Sequence, residues 1–330
     1  MLFAYALAIL RVCCLQSFMV EESLSREIWG RLIRGKSLED LSLRTREGRT
    51  DLRGLILPDV SILRQYQTEI ADVSEIEPAG VMRDCKWRNL DFTGSKLNGI
   101  RFFGSEIRGC QFDDCQLQDF RVWTSRFSET SFRGASMQEA ALGGVQDGQR
   151  NVFSDVDFSD ADLSDSCYMA AGFERCMFRN TNLAKVDFQT STFAECKFEG
   201  ELREVIFNRR GFGGEAFPAN EMMNVDLSRA RLRFVEFRGL SLDQVRLPTD
   251  AEHIIIKNYT ATLDQMIQAL RFQNDTAAKK LTVFLASYRK WAAPGQFRGV
   301  LNIEDLKEIA GEDGAERVIS LLHKFEGKTN

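Results

Sequence analysis

From Trp87 onward an apolar side chain returns at every fifth position: Phe92, Leu97, Phe102, Ile107, Phe112, Leu117, Val122, Phe127, Phe132, Met137 and Leu142. After a break at GGVQDGQRN the register resumes with Phe153, Phe158, Leu163, Tyr168, Phe173, Phe178, Leu183, Phe188, Phe193 and Phe198. Phe207 and Phe212 carry it on less regularly; Leu227, Leu232, Phe237, Leu242 and Leu247 restore it, and a faint start shows at Leu52, Leu57 and Ile62. Neither the helix period of about 3.6 nor the strand period of about 2 explains a strict five. A chain that turns a corner every five residues does. Four such sides bring the chain back above itself after about 20 residues, one strand spacing of about 4.8 Å higher.

A second, smaller series lies two positions before the first. It includes Cys85, Ser95, Ser105, Cys110, Cys115, Ser125, Thr130, Ala135 and Ala140, then Ala161, Ser166, Ala171, Cys176, Thr181, Ser191 and Cys196. Both series point inward in a square coil, and the positions between them face solvent. Asp or Asn often stands between the two, as in NLDFTG, DVDFSD, ADLSD and NTNLAK. This pattern resembles the pentapeptide-repeat family, whose motif is A-[DN]-[LF]-x-x, over roughly residues 82–248. The resemblance implies a mainly β fold, a right-handed quadrilateral β-helix in which the repeated residues are core. The 25 Phe, against 4 Trp and 5 Tyr, fit such use of one bulky side chain. Phe92, Phe112 and Phe132 are expected to stack, as are Phe153, Phe173 and Phe193, and Phe158, Phe178 and Phe198.

The remaining segments divide the chain. Residues 1–20 are apolar apart from Arg11, Gln16 and Ser17. They read as an ordinary apolar helix, an over-extended start, or a signal or membrane anchor. Residues 21–50 read as a helical N-terminal cap, and 51–250 as the repeat body with insertions near 64–81, 143–151 and 200–223. After Pro248 the five-period gives way to helical spacing, so 251–330 reads as an α-helical capping or interaction domain. Asp275 or Thr276 is expected to cap one of its helices, and a helix from Asn302 is expected to end near Gly311. In better-known members of the family a C-terminal helical element makes a dimer, so the resemblance adds a homodimer through these helices.

GRLIRGKS, residues 30–37, matches the phosphate-loop pattern at Gly30, Gly35, Lys36 and Ser37. That loop works only where a buried strand delivers a turn whose N–H groups face the phosphates at a helix N-terminus. Here SLSREIW precedes it with helical spacing, and Ile28, Trp29, Leu32 and Ile33 continue an amphipathic face. Gly35 sits where a helix C-terminus favours glycine, and Ser37 with Asp40 suggests a capping box for the next turn. No nucleotide is expected. Only His253 and His323 are available as imidazoles, far apart and in helical or linker context, so no metal is expected. Cys85, Cys110, Cys115, Cys176 and Cys196 read as core thiols, with Cys176 and Cys196 stacked within disulfide reach. Such thiols suit a reducing cytoplasm. The adjacent Cys13 and Cys14 leave lipid attachment open.

With no G-x-S-x-G and a coil filled by its own side chains, no enzymatic activity and no cofactor are expected. A protein-binding scaffold of unidentified partner is the first reading. Its candidate recognition elements are the loop Gly143, Gly144, Gln146, Asp147, Gln149 and Arg150, and an acidic patch of Asp155, Asp157, Asp160, Asp162 and Asp165. The family resemblance brings a second reading, imitation of duplex DNA to protect a type II topoisomerase such as gyrase. That needs acidity along most of the body. Residues 81–142 hold nine Lys or Arg against eight Asp or Glu, 201–247 eight against seven, and only 151–200 are acidic, with four against nine. A net charge of -5 likewise offers no field for nucleic acid. A third reading, a secreted or membrane-associated effector, depends on residues 1–20.

Overall fold

The computed structural model describes residues 22–59, 61–63, 81–209 and 220–326. Residues 1–20 with Cys13 and Cys14, most of the insertion near 64–81, and 210–219 of the later insertion lie outside these residues. Parallel pairings run in four walls, each repeating at 20 residues. In the first wall Val81–Arg83, Arg101–Phe103 and Arg121–Trp123 lie in register. The second wall is a six-stranded parallel sheet from Lys86–Arg88 to Thr192–Ala194. Asp91, Gln111 and Ser131 pair up the third wall, and Lys96, Gln116 and Ser136 up the fourth. The pairings Ser131 with Asp157 and Ser136 with Asp162 step by 26 instead of 20, so the six extra residues lie wholly between Leu142 and Asn151.

Corners explain why the step is five. Asp84, Asn89, Gly94, Gly99, Gly104, Gly109, Asp114, Asp119, Thr124, Glu129, Gly134 and Glu139 all have positive φ, and the series resumes at Asp155, Asp160 and Asp165. Left-handed backbone strains most L-residues, while Gly is free of the strain and Asp and Asn tolerate it best. Pairing continues through the corners. The Asn89 N–H donates to Arg108 O at 2.9 Å, and that of Asp114 to Arg133 O at 2.8 Å.

Inward, the rings stack as the spacing predicts. Phe92 to Phe112 is 5.2 Å, Phe112 to Phe132 5.1 Å, Phe158 to Phe178 5.1 Å and Phe178 to Phe198 4.7 Å between near-parallel centroids. The stacks join across the insertion, Phe132 to Phe158 at 5.4 Å and Phe127 to Phe153 at 5.4 Å. The small inward side chains also tie successive coils together, since a hydroxyl or thiol there donates to a carbonyl of the coil below. Ser105 Oγ reaches Met82 O at 2.9 Å, Cys115 Sγ reaches Phe92 O at 2.9 Å and Thr181 Oγ1 reaches Phe158 O at 2.8 Å. Burial pushes the Cys85, Cys110 and Cys115 thiols up to about 12. Cys176 and Cys196 are buried and free.

Helix α1 (Glu22–Ile33) closes the first coil. Trp29 stacks on Phe92 at 6.5 Å, and Trp87 Nε1 donates to Leu32 O at 3.3 Å. The phosphate-loop letters form the end of this helix. Gly35 has φ +61, its N–H reaches Leu32 O at 3.4 Å, and that of Lys36 reaches Arg31 O at 2.9 Å, a Schellman closure. Carbonyl ends therefore face this turn, the wrong polarity for a phosphate. The expected capping box does not form. The next turn is a 3₁₀ helix over Glu39–Leu41, and Asp40 receives Arg31 instead, Nη2 to Oδ2 at 2.8 Å.

At the other end three helices follow: α2 (Tyr259–Arg271), α3 (Thr276–Trp291) and α4 (Ile303–Glu326). Asp275 caps α3 through the Ala278 N–H at 2.9 Å. The helix expected to end at Gly311 breaks there, at φ 78 and ψ 174, and resumes at once. This region is not purely helical. His253–Lys257 pairs antiparallel with Arg298–Asn302, which corrects both the all-helical reading and the placement of His253 in a helix or linker. The unit is seamed to the last coils by the buried pair Arg233 Nε–Asp305 Oδ1, 2.6 Å, and by the Phe234 N–H on Asp305 Oδ2, 2.7 Å. Burial holds the Asp305 carboxyl above its ordinary range. No helix among the described residues is long and apolar enough to cross a membrane.

Two outcomes test this packing. Phe132→Ala, which empties the middle of a ring stack, is expected to cost about 3–5 kcal/mol, read as a fall in urea midpoint at unchanged m. Alkylation of native protein near pH 8, followed by peptide mass mapping, is expected to modify exposed Cys167 and spare Cys85, Cys110, Cys115 and Cys176 until the chain unfolds.

Candidate interaction surface

Outward positions carry whatever chemistry the coil shows to others. Just after the inward residue, the second wall presents Arg88, Arg108, Ser128 and Ser154; the third presents Thr93, Asp113 and Arg133, with Ser159 buried; the fourth presents Asn98, Gln118, Gln138 and Ser164. The first wall differs. There the same position holds Arg83, Phe103, Trp123, Gly143 and Met169 in one vertical column. Arg83 lies over the Phe103 ring at 4.2 Å, Phe103 and Trp123 are half-buried, and Met169 is 37% exposed. Next to the column stand Ala141 and exposed Cys167. Alternation alone marks these positions as polar and solvent-facing, so sequence reasoning missed the column. Its signal was Phe103 and Trp123 at the same step of the coil, 20 residues apart.

The six-residue insertion opens from this wall. Val145–Gln146 pairs antiparallel with Gln149–Arg150 around Asp147 (φ 52) and Gly148 (φ 71), the two-residue Asp-Gly turn of a tight hairpin. Gln146, Asp147 and Gln149 are exposed at its tip, and Val145 is 39% exposed. Two glycines seat it without needing positive φ. A Cβ at Gly143 would overlap the Met169 backbone, and one at Gly172 would come within 3.2 Å of the Arg150 guanidinium. Trp123 Cδ1 lies 3.6 Å from where a Gly144 Cβ would stand. Burial lowers the pKa of Arg150. At the hairpin's exit Asn151 donates to Val122 O at 2.7 Å and Leu142 O at 2.9 Å, and accepts the Ser125 N–H at 3.1 Å. The predicted loop residues are therefore together, beside the apolar column.

The predicted acidic patch is not one surface. Asp155, Asp160 and Asp165 occupy three successive corners, while Asp157 and Asp162 lie on the third and fourth walls between them. They wind around the coil, and the clustering in sequence reflects what left-handed corners select. Most are also engaged. Asp155 takes both ends of Arg175 at 2.8 Å, Asp157 accepts the Ser159 N–H at 2.9 Å, and Asp160 accepts Asn180 at 3.2 Å. The Arg175 guanidinium holds the Asp155 carboxyl below its ordinary range. For Asp162 burial opposes this, but hydrogen bonds from Ser164, Gln138 and Asn182 prevail and lower it. Among the described residues no three His, Cys, Asp or Glu side chains are grouped to hold a metal ion. His323 is exposed near the end of α4.

In its five-residue repeat, its 20-residue register and its recurring left-handed corners, this chain resembles the pentapeptide-repeat proteins. Neither a family model nor a curated protein matches the sequence. Among solved structures it is similar to a trypsin-treated variant of QnrB1, a plasmid-mediated fluoroquinolone resistance protein, at 20% identity; the match covers 56% of this chain and 85% of that one, with a TM-score of 0.23. It is similar to HetL, a pentapeptide repeat protein involved in heterocyst differentiation regulation from the cyanobacterium Nostoc, at 17% identity over 58% and 91% of the two chains, with a TM-score of 0.20. Rfr23 from the cyanobacterium Cyanothece matches at 11% identity over 48% and 90%, with a TM-score of 0.14.

If conformation and not charge selects the corner aspartates, Asp165→Gly is expected to leave the melting temperature unchanged or slightly raised. Asp165→Val, forced into the same backbone, is expected to lose about 1–2 kcal/mol. Thermal melts of the two variants check this.

Proposed function

We propose that this chain is a non-enzymatic scaffold that binds another protein along its first wall, with the hairpin at 143–150 as the second edge of the contact. One observation carries the reading: Phe103, Trp123 and Met169 form an outward apolar column, while in the coils of Phe103 and Trp123 the matching positions on the other three walls (Arg108, Asp113 and Gln118; Ser128, Arg133 and Gln138) are all polar. Aromatic side chains on a rigid support dominate protein contacts because they bury much area at small entropic cost. The inward Phe and Leu side chains fill the coil, so recognition falls to the outer walls and the hairpin. The closed right-handed quadrilateral shape belongs to the same reading, supported by the four walls of parallel pairing. A reducing, cytoplasmic setting is supported by the free buried thiols. Imitation of DNA draws less support, because the acidic residues of 155–165 turn round half the coil and several already hold Arg or Asn partners. Self-association through α2 and α3 is a narrower version of the proposal, supported by Phe272 and Val283 at 82% and 72% exposure.

A photoreactive phenylalanine analogue at position 123 is expected to trap a discrete partner in cells of origin, whereas the same probe at Gln118 or Ser164 on the fourth wall is not. Trp123→Ser with Met169→Ser is then expected to weaken that partner by at least about tenfold, a loss of about 1.4 kcal/mol or more, with little change in melting temperature. Identical trapping patterns from both walls would count against the proposal.

A further inference from the structure

The coil ends on an unpaired edge, and the structure closes part of it with an imidazole. On the fourth wall inward residues of the regular coils give their N–H to the coil above: Leu97 to Gln116 O at 2.8 Å, Leu117 to Ser136 O at 2.7 Å, Leu163 to Asn182 O at 2.9 Å. Leu232 holds that position in the last coil. Its N–H goes to His253 Nε2 at 2.9 Å. A side-chain nitrogen thus stands where the next carbonyl would be.

The surrounding bonds assign the ring's proton. A backbone N–H only donates, so Nε2 must be bare and the proton must sit on Nδ1, 2.8 Å from Asp250 Oδ1. Asn302 Nδ2 also faces Nε2, at 3.3 Å. Its amide cannot turn to accept instead, because Asn302 Oδ1 is held by the Glu304 N–H at 2.7 Å. Nε2 therefore meets two fixed donors in a site where the side chain is 1% exposed. A second proton has only Nε2 to occupy, and there it would oppose both.

We propose that His253 is an acid-sensitive latch between the repeat body and the C-terminal helical unit. Neutral, it accepts from both sides of the seam and holds the last coil shut. Protonated, it loses both bonds, and the fourth-wall edge at Leu232 opens. The charged groups around it oppose a new positive charge or are already committed. Arg231 flanks Leu232 and is held by Glu252 at 2.7 Å and Glu201 at 3.3 Å. Arg233, on the other side, is held by Asp305 and Glu308. Glu304, at the start of α4, pairs with Lys307 at 3.0 Å. Asp250 alone favours the imidazolium, and it already holds the Nδ1 proton. Asp305 does not mimic the latch: a carboxyl raised by burial favours the folded seam as pH falls, the opposite sign. The carboxylate beside the ring, Asp250, is held below its ordinary range and is protonated only in more acid solution. This inference is independent of what the first wall binds.

Amide hydrogen exchange of the full chain, corrected for intrinsic rates, tests it. Between about pH 7.5 and 5.5 the Leu232 and 253–257 amides are expected to lose at least about tenfold in protection, while Leu117 and Leu163 keep theirs. In His253→Gln, whose side-chain oxygen accepts the same N–H and does not titrate, protection at Leu232 is expected not to change with pH. Equal protection at both pH values in the natural chain, or the same loss in His253→Gln, overturns the latch. Imidazole nitrogen shifts need no variant: protonation of Nε2 must coincide with exposure of Leu232, and a doubly protonated ring beside a protected Leu232 also overturns it.

Discussion

Backbone pairing between residues 20 apart is the constraint on which everything else rests. Each wall can hydrogen-bond only to the coil above and below, so the chain must return to the same phase after every circuit. A net gain of about 0.5–1.5 kcal/mol per bond is modest singly, but a loss of phase would break all of them beyond that point. The hairpin follows from this. Six extra residues cannot be absorbed along a wall, so they leave together after Leu142 and return at Asn151. The returning asparagine bonds to the coil below at Val122 and Ser125 and to Leu142, where its own coil broke off. After the second insertion Asn220 plays a similar part, accepting the Phe193 N–H at 3.3 Å and the Met222 N–H at 3.0 Å.

A stack of coils is stabilised by neighbours and exposed at both ends, and the two ends are closed by different chemistry. At the start the problem is apolar: Phe92 and Trp87 would face water, and α1 lays Ile28, Trp29 and Leu32 across them. At the finish the problem is polar, because edge N–H groups and carbonyls are left over. There Asp305 accepts the Phe234 N–H, His253 accepts the Leu232 N–H, and Gly239 donates to Trp291 O at 2.7 Å. An apolar cap is indifferent to pH. A cap made of an imidazole is not.

Much of this was legible from spacing because the core repeats: Phe92, Phe112 and Phe132 identify one another through identical context. Corner chemistry was visible and unread. Gly94, Gly99, Gly104 and Gly109 recur two positions after the inward residue, and Asp155, Asp160 and Asp165 are the same feature in another residue type. Reading charge before conformation turned a corner series into a patch. The strand at His253–Lys257 was hidden for another reason. Its partner Arg298–Asn302 lies beyond two helices, so no local turn announces the pairing. Gly299 marks it only in hindsight, since a Cβ there would overlap the Tyr259 ring.

The filled interior also decides where specificity can reside. Inward positions accept Phe, Leu, Met or Tyr for volume, and small positions accept Cys, Ser or Thr for one hydrogen bond, so neither can encode a partner. Corners are limited by backbone. What remains free is the pair of outward positions on each wall, read vertically, one coil at a time. The other three walls use that freedom mostly for Asp, Ser, Gln and Arg, with Ile56 and Met223 as exposed apolar exceptions at the two ends. The first wall places Phe103 and Trp123 there; Gly143 lets the hairpin sit against it, and Gly172 makes room for the Arg150 side chain on the second wall. Arg83 over the Phe103 ring ties one coil to the next within this column, while the half-buried rings still leave apolar edge toward solvent.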